Sequence, residues 1–208
     1  MESLKIFQLE KNSDDIRKTV LTNIIKMLTE RKLMENDKMT QNIKKITKTH
    51  SDENMYAVDI QNYRDGDDKS MIIKLFLQRI TSISKQSIIT EFLNKYKNVA
   101  KLIVVKAINT KAGQYIISHY PKTELFLESD LMINLTDNVL VPRYEILDRN
   151  SEQYNNFRDS FNCKKRNIPK LLKSDPMARY YNLKKDDIVR VIYPSETTAY
   201  TGFYRIVV

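Results

Sequence analysis

The sequence contains few of the residues that build disulfides, metal sites and tight turns. Its 208 residues include one cysteine, two histidines, three glycines and no tryptophan. A single thiol cannot form an internal disulfide, and one cysteine with two histidines cannot supply a structural zinc site. No apolar run reaches the roughly 18 residues of a membrane-spanning helix. We therefore expect a soluble, intracellular protein with no cofactor, no metal and no membrane contact.

Basic residues outnumber acidic ones. The 35 lysines and arginines against 26 aspartates and glutamates give a formal net charge of +9. Such a charge favours an acidic partner, such as nucleic acid or an acidic protein surface. The excess is spread over both halves of the chain, so neither half is a basic tail. Charge alone leaves open an ordinary solvated surface.

The first 134 residues alternate between helical and strand-like patterns. Apolar residues at helical spacing predict helices over about 14–34 with Ser13 as cap, over 37–48, over the residues after Ser84, and over 111–119. Strand-like runs occupy 54–61, 70–77, 102–105 and 123–128. The first two strands flank a turn-forming cluster, Arg64–Asp68, and predict a hairpin. The later alternation of strand and helix predicts parallel pairing, so we expect a mixed sheet with flanking helices.

Shorter segments punctuated by proline follow residue 134, and we expect a second, smaller domain over 135–208. A helix is predicted over 151–161, and Asp175 followed by Pro176 predicts a short capped helix. Residues 187–193 and 202–208 have strand patterns, with Pro194–Thr197 as a turn or loop between them. The expected fold class is therefore α/β for the first domain and a small α+β mixed sheet for the second.

The last 34 residues carry a specific motif. They are DPMARYYNLKKDDIVRVIYPSETTAYTGFYRIVV, from Asp175 to Val208. The order and spacing of DPxARY, PSET and YRxV resemble the signature of one RNA polymerase family, which comprises the fifth, shared subunit of eukaryotic nuclear RNA polymerases and its archaeal counterpart. Residues 134–142 resemble the segment that opens the C-terminal domain of that family. Toward the N-terminus the resemblance is carried by the order of elements.

The resemblance implies a non-catalytic subunit of a multisubunit DNA-directed RNA polymerase, whose active site lies in other subunits. The C-terminal domain would dock on the largest subunit. The expected partner-binding residues are those of the motif: Arg179, Tyr180, Pro194, Ser195, Glu196, Thr197 and Arg205. From the residues alone, a second interpretation stays open, in which the tyrosines fill a small core and the arginines bond to local carboxylates or carbonyls.

The resemblance also implies a nuclease-like jaw over residues 1–134, lying beside downstream DNA. The archaeal members of the family lack this region. The expected DNA contacts are Lys106, Thr110 and Lys111, in a loop beyond the carboxyl end of a predicted parallel strand, where ligands commonly bind. The extra region favours a eukaryotic source or a virus that infects eukaryotes, and the lysine-, isoleucine- and asparagine-rich composition then favours a large DNA virus over a cellular eukaryote. The expected location is then a virion or a cytoplasmic virus factory, and otherwise the nucleus.

A metal-dependent nuclease is the alternative function. Asp59 and Lys74 lie on neighbouring predicted strands and could belong to a cleavage site. Such sites typically have an acidic residue two positions before the lysine, where this chain has Ile72. The sequence therefore favours a binding subunit, with no catalytic and no metal-ligating residues. Cys163 is interpreted as an incidental thiol.

Overall fold

The computed structural model describes residues 12–48, 54–61, 63, 69–81, 87–138, 140–148, 151–161, 167–195 and 197–208, without the side chains of residues 77 and 158–161. The chain forms two compact units, Met1–Asn134 and Leu135–Val208. In the described part, no helix is both long enough and apolar enough to cross a bilayer. Cys163, Ser84 and the Arg64–Asp68 cluster lie outside the described residues.

A four-stranded mixed sheet forms the centre of the first unit. Its helices are α1 (Ser13–Glu30), α2 (Asn36–Lys48), α3 (Ile88–Lys95) and α4 (Thr110–His119), and its strands are β1 (Met55–Asp59), β2 (Ser70–Ile80), β3 (Ala100–Ile108) and β4 (Thr123–Leu127). The strand order is β1-β2-β3-β4. Strand β1 is antiparallel to β2, whereas β2, β3 and β4 are parallel. The expected hairpin and mixed sheet with flanking helices are confirmed.

Strand β3 is buried on both of its faces. Ile103 and Val105 pack into a cluster with Phe92 of α3 and Ile116 of α4. On the other face, Val104 lies near Val20 of α1. A strand covered on both faces requires a nearly continuous apolar run, which the LIVV segment supplies. The parallel strands therefore sit in the middle of the unit, with their carboxyl ends at one edge.

A buried ion pair ties the end of α1 to strand β4. Arg31 Nη1 lies 2.7 Å from Glu124 Oε2, and the two side chains are 4% and 7% exposed. Tyr63 donates a hydrogen bond of 3.0 Å to the second carboxylate oxygen of Glu124. Both oxygens of the buried carboxylate are thus engaged, which offsets the cost of removing the charges from water.

Two helix boundaries differ from the sequence-based expectations. Helix α1 follows Asn12, not Ser13, and ends at Glu30 rather than at residue 34. It ends early because Lys32 takes a left-handed φ of 60° and Leu33 N–H donates back to Leu28 O, a Schellman-type termination. Helix α3 is capped by Ser87, whose Oγ accepts from the Thr90 N–H.

The second unit is built on a smaller mixed sheet. It contains α5 (Glu152–Phe161), α6 (Pro176–Tyr180), β5 (Arg143–Ile146), β6 (Lys170–Leu171), β7 (Ile188–Ser195) and β8 (Ala199–Val207). The strand order is β5-β7-β8-β6. Strand β7 is antiparallel to both of its neighbours, and β6 is parallel to β8. The expected mixed sheet and the helices over 151–161 and after Asp175 are confirmed.

The expectation of a turn beginning at Pro194 was wrong. Pro194 and Ser195 extend β7 and pair with Tyr200 and Ala199. Val207 N–H donates to Asp187 O, so the backbone groups of the odd-numbered residues of β7 point toward β8. Backbone groups alternate in direction along a strand, so those of the even-numbered residues, including Pro194, point toward β5. Strand β5 begins at Arg143, opposite Ile192, and does not reach Pro194. The missing N–H of proline therefore removes no ladder hydrogen bond.

Replacing Glu124 by Gln should lower the free energy of unfolding by about 3–5 kcal/mol, because it removes the carboxylate charge that faces the buried guanidinium of Arg31. Guanidinium denaturation followed by circular dichroism measures the change. The double variant Arg31→Met/Glu124→Gln should recover most of the loss, since it removes both charges and keeps an acceptor for Tyr63. The matched surface control, Glu35→Gln, breaks an exposed 2.8 Å pair with Lys38 and should leave the transition unmoved. Equal effects of Glu124→Gln and Glu35→Gln would contradict the role of the buried pair.

Candidate functional site

One face of the second sheet gathers aromatic side chains and an arginine. Tyr144 of β5 pairs with Val191 of β7, which pairs with Phe203 of β8, so these residues share a face. Tyr193 lies on the same face and meets Phe203 edge to face, with ring centroids 5.9 Å apart. Arg205, two residues after Phe203, also lies there. We call Tyr144, Tyr181, Tyr193, Phe203 and Arg205 the aromatic face.

Helix α6 places Tyr181 on this face. Asp175 caps the helix, because its carboxylate accepts hydrogen bonds from the N–H groups of Met177 (2.8 Å) and Ala178 (3.4 Å). Pro176 occupies the first helical position, where no N–H is required. The ring of Tyr181, at the end of the helix, stacks on Tyr144 with centroids 6.1 Å apart. The DP dipeptide of the motif therefore orients a helix against the sheet.

Charges flank the phenol of Tyr144. Burial raises the pKa of Tyr144 above its usual value, and the negative charge of Asp175 and the nearby Tyr193 raise it further. The positive charge of Arg205 acts in the opposite direction and lowers it. An acid and a base thus lie close to one ring, which gives the aromatic face both signs of charge around an apolar centre.

The predicted partner-binding residues that the structure describes lie on helix α6, at the end of the β7–β8 hairpin and, in the case of Arg205, on the aromatic face. Arg179 is half-buried on α6, and Tyr180 is only 4% exposed, with its hydroxyl 3.5 Å from Thr136 Oγ1. Tyr180 therefore contributes mainly to the core. At the hairpin end, Pro194 and Thr197 are exposed and Ser195 is half-buried. Arg205 is half-buried at the aromatic face, and Glu196 lies outside the described residues.

Sequence reasoning missed the aromatic members of the face. Phe203 is 54% exposed, which is unusual for a large apolar ring. The signal was present in the alternation of strands β7 and β8, because odd-numbered residues in each strand share one face. The predicted binding residues were taken from the motif, such as PSET, whereas the aromatic face is defined by the alternation of side chains along the strands.

The opposite face of the same sheet carries a charged patch beside an apolar one. Arg190 lies between Glu145 of β5 and Gly202 of β8, with Nη1 3.5 Å from Glu145 Oε2. A Cβ at Gly202 would come within 2.8 Å of Arg190 Nε, so glycine leaves room for the guanidinium to lie on the strand. Farther along the same face, Ile188 and Ile206 are buried in a cluster with Phe157 of α5. The exposed charges are therefore confined to the part of this face around Arg190.

The predicted DNA-contacting residues lie at the carboxyl end of β3 in the first unit. Lys106 belongs to β3 itself, and Thr110 and Lys111 are the first two residues of α4; all three are exposed. The expected loop over 106–111 was wrong. Asn109 caps the helix by accepting a hydrogen bond from Lys111 N–H at 3.3 Å, so the helix begins directly after the strand.

The residues of the nuclease alternative are far apart. Asp59 pairs with Ser70, whereas Lys74 pairs with Met55, four positions along the hairpin. At about 3.3 Å per residue, the two side chains are separated by roughly 13 Å. The Lys74 ammonium instead lies 5.7 Å from the centroid of the Phe76 ring. In the part of the chain that the structure describes, no three acidic, histidine or cysteine side chains come together as metal ligands.

Comparison with known proteins adds the decisive observation. A family model described as RNA polymerase Rpb5, C-terminal domain, matches residues 133–207. The DNA-directed RNA polymerase subunit 5 of Acanthamoeba polyphaga mimivirus is 32% identical over 208 residues, which is 98% of this chain and 97% of that protein. This chain belongs to the RNA polymerase subunit 5 family.

Cellular members of the subunit 5 family match a smaller part of the chain. The Caenorhabditis elegans subunit RPABC1 of DNA-directed RNA polymerases I, II and III is 30% identical over 122 residues, 54% of each chain. An Arabidopsis thaliana DNA-directed RNA polymerase V subunit 5A is 25% identical over 138 residues, 65% of this chain and 61% of that one. The resemblance expected from the C-terminal motif is confirmed.

Titration of Tyr144 tests the geometry of the aromatic face. A raised pKa means that the folded state holds the phenol proton more tightly than the unfolded state. This contribution to the free energy of unfolding is complete at pH values below the pKa of tyrosine in the unfolded chain, about 10. It is lost as the pH rises through the pKa of Tyr144 in the folded chain. Arg205→Gln should raise the pKa of Tyr144 further, as measured by ultraviolet difference spectroscopy against Tyr144→Phe.

Arg190→Gln is the matched control, because it removes an arginine from the opposite face. It should leave the Tyr144 titration where it was. A downward shift of the Tyr144 pKa in Arg205→Gln, or equal shifts in both arginine variants, would show that Arg205 does not lie beside this ring.

Proposed function

We propose that this chain is a non-catalytic subunit of a multisubunit DNA-directed RNA polymerase, with the active site in other subunits. The match to the mimivirus subunit 5 over nearly the whole of both chains carries this proposal. It extends through both units and is not limited to the C-terminal motif. The subunit acts by binding the other polymerase subunits.

The aromatic face is the proposed docking surface for the largest subunit. Aromatic rings and arginines dominate the energetics of protein interfaces, because they bury large areas at a low entropic cost. Phe203 and Arg205 supply one of each. Pro194 and Thr197 extend the contact at the hairpin end, and Arg179 extends it along α6. Tyr180 supports this surface from the core, which reconciles its burial with its place in the motif.

Co-purification tests the docking surface. Phe203→Ala and Arg205→Gln, introduced into the tagged full chain, should reduce recovery of the largest polymerase subunit, because aromatic rings and arginines at the centre of an interface are the residues whose loss costs more than about 1 kcal/mol. Quantitative mass spectrometry of the eluate gives the ratio of that subunit to this chain.

Arg190→Gln and Lys111→Gln are the controls. The first removes an arginine from the opposite face of the same sheet, and the second removes a cation from the first unit. Both should leave the ratio unchanged. A larger loss with Lys111→Gln than with Arg205→Gln would mean that the roles of the two units are inverted.

For the first unit we infer a jaw-like position beside downstream DNA. Lys106, Thr110 and Lys111 are exposed at the carboxyl end of the parallel strands and supply two cations and a hydroxyl. Such groups bind phosphate oxygens and hold a duplex in place without reading its sequence. A nuclease-like fold for this unit remains part of the proposal.

Salt dependence tests the DNA contacts. The double variant Lys106→Gln/Lys111→Gln in the assembled polymerase should bind downstream DNA more weakly, with a slope of log affinity against log salt that is shallower by about 0.9 per lost phosphate contact. Lys69→Gln/Lys97→Gln, also exposed, is the matched control and should retain the slope. Equal losses in the two variants would indicate general charge attraction.

The nuclease alternative has a separate test. The isolated chain with Mg²⁺ or Mn²⁺ should leave DNA intact, whereas cleavage that is abolished by Asp59→Asn would support the nuclease.

We propose that this chain is located where the polymerase that contains it acts. A full-length viral relative favours a virion or a cytoplasmic virus factory over the nucleus. The matches to the nematode and plant subunits cover about half to two thirds of the chain, which is consistent with a more distant cellular relationship.

A further inference from the structure

A cavity of about 180 Å³ lies between helix α1 and the carboxyl-terminal halves of strands β2 and β3. Its lining is mostly apolar, formed by Ile16, Val20, Leu75, Phe76 and Val104. Ser13, Arg17, Lys106 and Glu128 complete it with polar groups. In α/β folds this edge of the sheet is where ligands commonly bind. All the lining residues belong to the first unit.

Arg17 gives the cavity a fixed positive charge. Its side chain is almost fully buried, with the residue 7% exposed. Nη1 donates a hydrogen bond of 2.9 Å to the Tyr56 hydroxyl, and Nε lies 3.8 Å from Asp14 Oδ1. These contacts hold the guanidinium between helix and sheet. Lys106 adds a second cation and Glu128 one acid to the lining, and Asp14 faces Arg17 from outside the lining.

We propose that this cavity binds a small carboxylate that carries a single aromatic ring. The volume is close to the cavity of about 150 Å³ that accommodates benzene in an apolar protein interior. Apolar walls favour a ring, and the guanidinium of Arg17 and the ammonium of Lys106 favour one anionic group beside it. This inference goes beyond the proposed polymerase function and does not depend on it.

Protein NMR with the full chain tests the site. Benzoate should produce saturable shifts of backbone amides around Val20 and Val104, with a millimolar dissociation constant. Benzyl alcohol, which has the ring without the charge, should bind more weakly. Acetate, which has the charge without the ring, should produce no saturable shift. The ranking separates the contributions of the apolar walls and of the cations.

Two variants change the cavity in different ways. Ile16→Phe adds a ring at a partly exposed lining position and should abolish binding by filling the space. Lys106→Met removes an exposed charge without touching the core and should weaken benzoate binding roughly threefold, the effect of an exposed ion pair. Lys111→Met removes a nearby cation that does not line the cavity, and should leave the affinity unchanged. Because Lys106 is exposed, its variant stays informative if Ile16→Phe fails to fold.

Three results would overturn the proposal. Equal affinity for benzoate and benzyl alcohol would mean that charge plays no part. Equal weakening by Lys106→Met and Lys111→Met would reduce the effect to general electrostatics. Binding that appears only after deletion of residues 1–11 would show that the chain itself, not an external ligand, occupies the cavity.

Discussion

The arrangement of the first unit depends on the burial of Lys101. This residue lies on the central strand β3 and is fully buried, yet its ammonium donates hydrogen bonds to the carbonyls of Tyr96, Lys97 and Val99 at distances of 2.8–3.3 Å. An unsatisfied charge at that depth would cost several kcal/mol. The carbonyls at the end of α3 also form the negative end of a helix dipole. Strand β3 is thereby fixed against α3, and the sheet edge from which Lys106 and α4 emerge is fixed with it.

In the second unit, the alternation of side chains along β7 and β8 places different groups on the two sides of one hairpin. Exposed aromatic rings and Arg205 lie on one side. Arg190 and Glu145 lie on the other, beside Ile188 and Ile206, which are buried against Phe157 of α5. Gly202 leaves room for the guanidinium of Arg190 on that side. A small domain can therefore bury apolar residues on both sides of its sheet and still leave exposed rings, which we propose as the surface for a polymerase partner, on one side.

Local signals were sufficient to predict much of this fold. The LIVV run, the hairpin and the capped helix after Asp175 were predicted because each depends on residues close together in sequence. Boundaries that depend on backbone geometry were missed: Lys32 ends α1 in a left-handed conformation, and Asn109 starts α4 directly after β3. Pro194 was misassigned because a proline fits into β7 only where the neighbouring strand β5 needs no N–H from it, and β5 lies far away in the sequence. The aromatic face and the buried Arg31–Glu124 pair join distant residues, so only the folded chain reveals them.

We propose that this subunit works as part of an assembled polymerase, to which it is attached through its second unit. Native mass spectrometry of the complex isolated through a tag on this chain tests the attachment. We expect one copy of the chain in an assembly with the large polymerase subunits, and dissociation of that copy when the aromatic face is altered. Recovery of the chain alone, or bound to proteins unrelated to transcription, would contradict it.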